Sequence, residues 1–142
     1  MVNLMQNSTT LLPAEAQGLL DALDDEYKAW ATYDQVIRDF GVQRPFSNIV
    51  EAEQRHIDAL LDLCARYGVT PVANRWPGRV PRYDSIHAAC VQSVQGEIDN
   101  AALYDRLLQS TQREDILAVY RALQSASTDR HLRAFQRCAA GG

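Results

Sequence analysis

FSNIVEAEQRHIDALLDLCARYG, residues 46–68, spaces Phe46, Ile49, Glu53, His56, Leu60, Leu63 and Tyr67 three and four residues apart. That alternation winds onto one face of an α-helix. Gly68 follows as a C-terminal stop, so the stretch predicts a helix over 45–67. Its inward face is apolar at both ends and polar in the middle, where Glu53 and His56 project side by side. A carboxylate inside a buried stripe is costly unless something offsets its charge. The interruption is therefore as informative as the stripe.

Three further helices follow by the same reading. Pro13-Ala14-Glu15 is a helix start with proline in the first turn, and the pattern runs to Phe40 before Gly41. Its stripe is Leu19, Leu23, Glu26, Trp30, Tyr33, Ile37 and Phe40. A third helix over 84–109 carries Ile86, Cys90, Val94, Glu97, Ala101, Tyr104 and Leu108. A fourth, ending near Cys138, carries a less regular stripe: Leu117, Tyr120, Leu123 or Gln124, Thr128, His131, Phe135 and Cys138.

The links set the topology. Short connections at 41–44 and 110–112 make two antiparallel hairpins. Residues 68–82, GVTPVANRWPGRVPR, hold three prolines and two glycines and read as an irregular connection. If Glu53 and Glu97 share one height and their helices run parallel, this link must cover about 40 Å at ~1.5 Å per helical residue. Its residues reach about 50 Å when extended, at ~3.3 Å each. A crossover of this kind is the single long connection of a ferritin-like four-helix bundle. The predicted fold is thus an all-α bundle over 13–138, with loose termini at 1–12 and 139–142.

The hairpins repeat each other. Glu26 is followed by Tyr33-Asp34 as Glu97 is by Tyr104-Asp105, and Ala31 matches Ala102. His56-Ile57-Asp58-Ala59-Leu60 matches His131-Leu132-Arg133-Ala134-Phe135. Glu26, Glu53, His56, Glu97 and His131 all interrupt apolar stripes at compatible heights. Two divalent metals would supply the compensating charge, and carboxylate with imidazole suits iron, with manganese or zinc as alternatives. Di-metal carboxylate bundles place a Glu on each of two helices and Glu-x-x-His on the other two. Here Thr128 takes the place of the second such glutamate, three before His131. Three carboxylates then face four positive charges. The expectation is that Glu53 bridges two ions, with Glu26 and His56 on one and Glu97 and His131 on the other. A hydroxide, oxide or peroxide bridge would supply the remaining charge.

Other readings bound the function. The net charge of -4 argues against a nucleic-acid partner. No apolar run approaches the ~20 residues of a membrane span, and residues 1–12 lack a secretion signal, so a cytoplasmic location is the default. Cys64, Cys90 and Cys138 form no CxxC pair, which argues against a thiolate metal site and favours free thiols. Cys90 and Cys138 lie at one height on neighbouring helices, as two core residues or as a thiol pair. Tyr33 and Tyr104 read as aromatic core, with hydrogen bonding to the site as the alternative. His87 lies off the ligand face. Arg75, Arg79 and Arg82 read as solvated loop charges.

The segment 46–68, with Glu26–Tyr33 and HLRAF at 131–135, closely resembles a bacterial and archaeal ferritin-like group described as a domain of unknown function, distantly similar to rubrerythrin and bacterioferritin. The resemblance covers about 20–138. It implies the bundle fold and places Glu26, Glu53, His56, Glu97 and His131 at ligand positions; Thr128 departs from the bacterioferritin and rubrerythrin pattern. The function expected is a non-haem di-iron protein reacting with oxygen or peroxide, fed by an external electron donor. The alternatives are a metal-storage module and a metal-free bundle. A homodimer is compatible with such a bundle, though no residue singles out its surface.

Overall fold

A computed structural model describes residues 10–141. Its described residues form four helical runs and no strand. α1 spans Pro13–Phe40, α2 Phe46–Tyr67 and α3 Ile86–Leu107. The fourth run is α4, Glu114–Ala126, continued by a π-helical turn, Ser127–His131, and by α5, Leu132–Ala139.

Local chemistry sets the ends. Glu15 Oε1 reaches back to accept the Leu12 N–H at 2.8 Å, satisfying one of the donors a helix start leaves free. Ser85 caps α3 by accepting the Ala88 N–H at 3.0 Å. Gly68, at φ 67°, turns the chain left-handed after α2 so that Val69 N–H reaches the Cys64 carbonyl at 2.9 Å.

Two apolar clusters fix the helix directions. One gathers Leu19 and Leu23 from early α1, Leu60 and Leu63 from late α2, Tyr104 and Leu107 from late α3, and Ile116 and Tyr120 from early α4. The other gathers Tyr33 and Val36, Phe46 and Ile49, Ala89 and Cys90, and Phe135 from the opposite ends. Each cluster takes one end of every run. α1 and the fourth run therefore point one way, and α2 and α3 the other. The chain is an all-α four-helix bundle of two antiparallel hairpins, with residues 68–85 as the long crossover.

Two expectations are corrected. Arg75 and Arg82 are exposed but engaged: Arg75 grips the Asp24 carboxylate at 3.0 and 3.1 Å, and Arg82 grips Asp39 at 2.5 and 3.0 Å. Trp76 Nε1 also donates to Asp24 at 3.1 Å. The crossover is thus strapped along α1. Cys90 and Cys138 are not free thiols but a disulfide, with Cα atoms 5.9 Å apart. Antiparallel α3 and α5 bring the two residues opposite each other, which an odd cysteine count conceals. Cys64 is free and buried.

The termini expected to be loose at 1–9 and 142 lie outside the described residues. Within them, the Thr10 carbonyl accepts from Arg113 Nη2 at 3.0 Å, and Leu11 packs against the first cluster.

Candidate metal centre

Between the two apolar clusters lies a layer of polar side chains, one contributed by each turn that interrupts a stripe. Glu26, Glu53 and Glu97 are 1–2 % exposed, His56 is 8 % and His131 4 % exposed. The structure brings all five together. Glu26, Glu53 and His56 have donor atoms within 4.8 Å of one another, and so do Glu53, Glu97 and His131. Glu53 belongs to both groups. Its Oε2 lies 3.4 Å from His56 Nδ1 and its Oε1 lies 3.3 Å from His131 Nδ1. The two imidazoles stack across it with ring centroids 5.6 Å apart and planes 18° from parallel.

The outer carboxylates are each divided between two tasks. Glu26 turns Oε2 inward, 3.4 Å from His56 Nδ1, while Oε1 accepts from the Tyr104 hydroxyl at 2.6 Å and from Asn100 Nδ2 at 3.3 Å. Glu97 turns Oε1 inward, 3.2 Å from His131 Nδ1, while the Tyr33 hydroxyl donates to Oε2. The tyrosines cross over: the one on α1 holds the glutamate on α3, and the reverse. Such a swap needs α1 and α3 antiparallel, as the apolar clusters require. Tyr33 and Tyr104 therefore do more than fill core, though Tyr33 also packs on Phe46 and Phe135 with centroids 5.9 and 5.1 Å away. Burial, with the Glu97 and Glu26 charges respectively, pushes both phenols well above their ordinary range. They stay protonated and act as donors.

Crowded acids and bases in a dry layer shift one another. Burial, then the charge of Glu53, raises Glu26 to about 7. Burial also opposes ionisation of Glu53, but its contacts with Glu26, His131 and His56 outweigh that and hold it below its ordinary value. For the imidazoles, burial disfavours the charged form, yet the flanking carboxylates win: Glu26 and Glu53 raise His56 to about 10, and Glu53 and Glu97 raise His131 to about 9.

The fourth run departs from expectation. Its buried residues include Leu123, Ser127, His131 and Phe135, a row four residues apart, with Ala126 buried beside it. At ~100° per residue a regular helix would drift about 40° with each such step. The π-helical turn absorbs the drift by taking in one extra residue. Ser127, not Thr128, thereby becomes the residue facing the centre beside His131. Thr128 is half-buried and spends its hydroxyl on the Gln124 carbonyl at 3.1 Å. Neither supplies a carboxylate.

Sequence reasoning missed what fills that place. Ser127 Oγ donates to Asn100 Oδ1 at 2.5 Å, and Asn100 Nδ2 donates to Asp25 at 2.6 Å as well as to Glu26. Burial lifts Asp25 to about 6. α3 is also rotated from its expected stripe: Ser93 and Asn100 are buried, whereas Val94 and Ala101 are only half-buried. The signal was the spacing of Asn100 three after Glu97, the same as His56 after Glu53. Beside these residues a cavity of about 220 Å³ opens between α1 and α3, reaching Tyr33, Glu97 and Asn100. The Ser93 hydroxyl, buried and without a hydrogen-bond partner, lines it. His87 is exposed.

The donor set suits a divalent cation. Two atoms each about 2.1 Å from one ion, at angles between octahedral and tetrahedral, lie about 3.0–3.4 Å apart. The carboxylate–imidazole separations of 3.2–3.4 Å fall there, and are long for charge-assisted hydrogen bonds. Glu53 Oε2 is buried and makes no hydrogen bond, although buried acceptors are almost always satisfied.

Known proteins bear on the family rather than on the reaction. A family model described as an uncharacterized protein domain, DUF2202, matches residues 15–140. An uncharacterized protein, MJ0754, of Methanocaldococcus jannaschii is 29% identical over 138 residues, covering 87% of this chain and 74% of that protein. No solved structure gives a significant match. With nearly its whole length matched, the chain belongs to the DUF2202 family.

Proposed function

We propose that this protein is a non-haem dinuclear metal protein of ferritin-like type, holding two iron ions and reacting with oxygen or peroxide. The observation that carries the reading is the position of Glu53, with one oxygen toward His56 and Glu26 and the other toward His131 and Glu97. Glu53 would bridge the two ions. Glu26 with His56 would complete one side and Glu97 with His131 the other. Each outer glutamate offers a single inward oxygen, because Tyr104 and Tyr33 occupy the second. That leaves coordination positions open.

Bound iron would supply one-electron redox chemistry. The protein's own share is to present three carboxylates, hold two phenolic protons on the outer oxygens, and exclude bulk water from the layer. Two divalent ions exceed three carboxylates by one positive charge, which favours an added anionic ligand. Manganese or zinc would fit the same donors. A redox cycle would draw on an external electron donor.

A storage module would bind metal by the same residues without turnover. A metal-free bundle has one observation in its favour: the two raised imidazoles can carry charge beside the glutamates. The Glu53 oxygen that accepts no hydrogen bond and lies 3.4 Å from His56 Nδ1 favours metal instead. Metal analysis of iron-loaded protein tests the reading. Two ions per chain, with the Mössbauer signature of a coupled pair that changes on adding peroxide, is the expected result. One equivalent or less, with no coupled signature, would refute it.

A further inference from the structure

Ten of the chain's thirteen arginines fall into two groups. Arg79, Arg106 and Arg121 are exposed, make no ion pair among the described residues and lie outside the groove that the second group lines. Arg38, Arg66, Arg75, Arg82 and Arg113 are each paired with a carboxylate. Arg44, Arg55, Arg130, Arg133 and Arg137 are exposed and, among the described residues, make no ion pair. All five of these line one groove of about 1100 Å³ between α2 and the π-turn–α5 segment. Asp129 is the one acid on its walls. So marked a positive surplus stands out on a chain of net charge -4.

The groove is built. Arg130, Arg133 and Arg137 recur at three- and four-residue steps, so they form a row on one wall. Arg55 stands on the other wall and Arg44 at the end of the α1–α2 link. Between the rows the side chains are small, Ala52 on α2 and Ala134 on α5, which deepens the floor. His131 reaches that floor. From Arg130 to Arg137 the row covers about 10 Å at ~1.5 Å per residue. Guanidinium forks bind phosphate and carboxylate oxygens in pairs, and the volume is that of a small-molecule site.

We propose that this groove binds an organic molecule bearing two or more phosphate or carboxylate groups, gripped between the arginine row of α5 and Arg55 of α2. The proposal does not rest on the metal centre, although His131 borders both. Its concave shape and short row favour a small polyanion over a nucleic acid, which calls for a longer basic track.

Isothermal titration of the full-length protein tests it, at about 50 mM salt to limit screening. Fructose 1,6-bisphosphate and tricarballylate serve as weakly chelating probes, with a twelve-nucleotide oligothymidylate for comparison. Saturable one-to-one binding of either small anion is expected, weakening steeply with salt. Binding of the bisphosphate alone identifies a phosphorylated ligand, and of tricarballylate alone a carboxylate. The double variant Arg133→Ala, Arg137→Ala is expected to bind at least tenfold more weakly. Arg121→Ala, an exposed arginine of α4 outside the groove, is expected to bind as the parent does. All three side chains are exposed, so circular dichroism is expected to report an unchanged fold. Absence of saturable binding by both anions, equal losses in the groove and control variants, or tenfold tighter binding of the oligonucleotide would each overturn the proposal.

Discussion

The α1–α2 hairpin and the α3–α4–α5 hairpin present the same parts to the centre, yet they differ at one position on their second helices. In the first, Glu53 stands three before His56 and aims an oxygen at each imidazole. In the second, the π-helical turn brings Ser127 beside His131, and Ser127 supplies no carboxylate but donates to Asn100. The outer glutamates, histidines and crossed tyrosines are exchanged between the halves, whereas Asn100 has no counterpart on α1. The difference teaches that the centre has one carboxylate shared by both halves, not one for each. The two similar hairpins thus differ at the residue that contacts both imidazoles.

The largest effect is expected from breaking that shared residue. Glu53→Ala is expected to lose both ions, whereas Glu26→Ala or Glu97→Ala is expected to retain one; mass-spectrometric metal counts on each purified variant decide this. If Glu53→Ala keeps as much metal as the other two, the bridging role fails. Next come the tyrosines. Tyr33→Phe and Tyr104→Phe each free an outer carboxylate oxygen and are expected to weaken metal binding about 10–100-fold. Competition with a chromophoric chelator measures both, and similar losses are expected if the halves are equivalent there. Asn100→Ala, with no counterpart in the first hairpin, is expected to weaken only the Glu26 side.

A gain of binding sharpens the comparison further. Ser127→Glu would place a fourth carboxylate at the centre and is expected to tighten metal binding about tenfold, roughly 1.4 kcal/mol. Thr128→Glu, one residue further, is expected to leave it unchanged. The reverse ranking would contradict the register that the π-helical turn sets.

The smallest and broadest effect is on pH dependence. His56 and His131 are raised to about 10 and about 9, above the ~6.5 of an unfolded chain. In metal-free protein the stability they contribute is complete below about pH 6.5 and lost as pH rises through those values. Glu26, raised to about 7, removes stability in the same direction between about pH 4.5 and 7. Chemical denaturation of chelated protein is therefore expected to show falling stability from mild acid to pH 10. Metal binding must displace the imidazole protons, so affinity is expected to rise over the same range. Stability that rises with pH would contradict these assignments.

Much of this was legible in the residues. Helix periodicity fixed the four runs, because amphipathic stripes with Gly68 and Pro13 at their ends leave little freedom. The length of the 68–82 link pointed to the crossover. The five ionisable residues stood out because each breaks an apolar stripe. What escaped were features that periodicity does not encode. Ser93 and Asn100 are polar, so a search for apolar neighbours passed over them for Val94 and Ala101. The π-helical turn shifts register within a helix, and only the untidy stripe after Leu123 hinted at it. Glu15 looked like a first-turn residue but is buried against Thr111 and Arg113. The Cys90–Cys138 pair depends on which helices are neighbours.

The bridging role of Glu53 is tested most directly by anomalous diffraction at the metal edge from crystals of iron-loaded protein. The account predicts two peaks on either side of the Glu53 carboxylate, one among Glu26 and His56 and the other among Glu97 and His131. A single peak, or peaks away from Glu53, would contradict it.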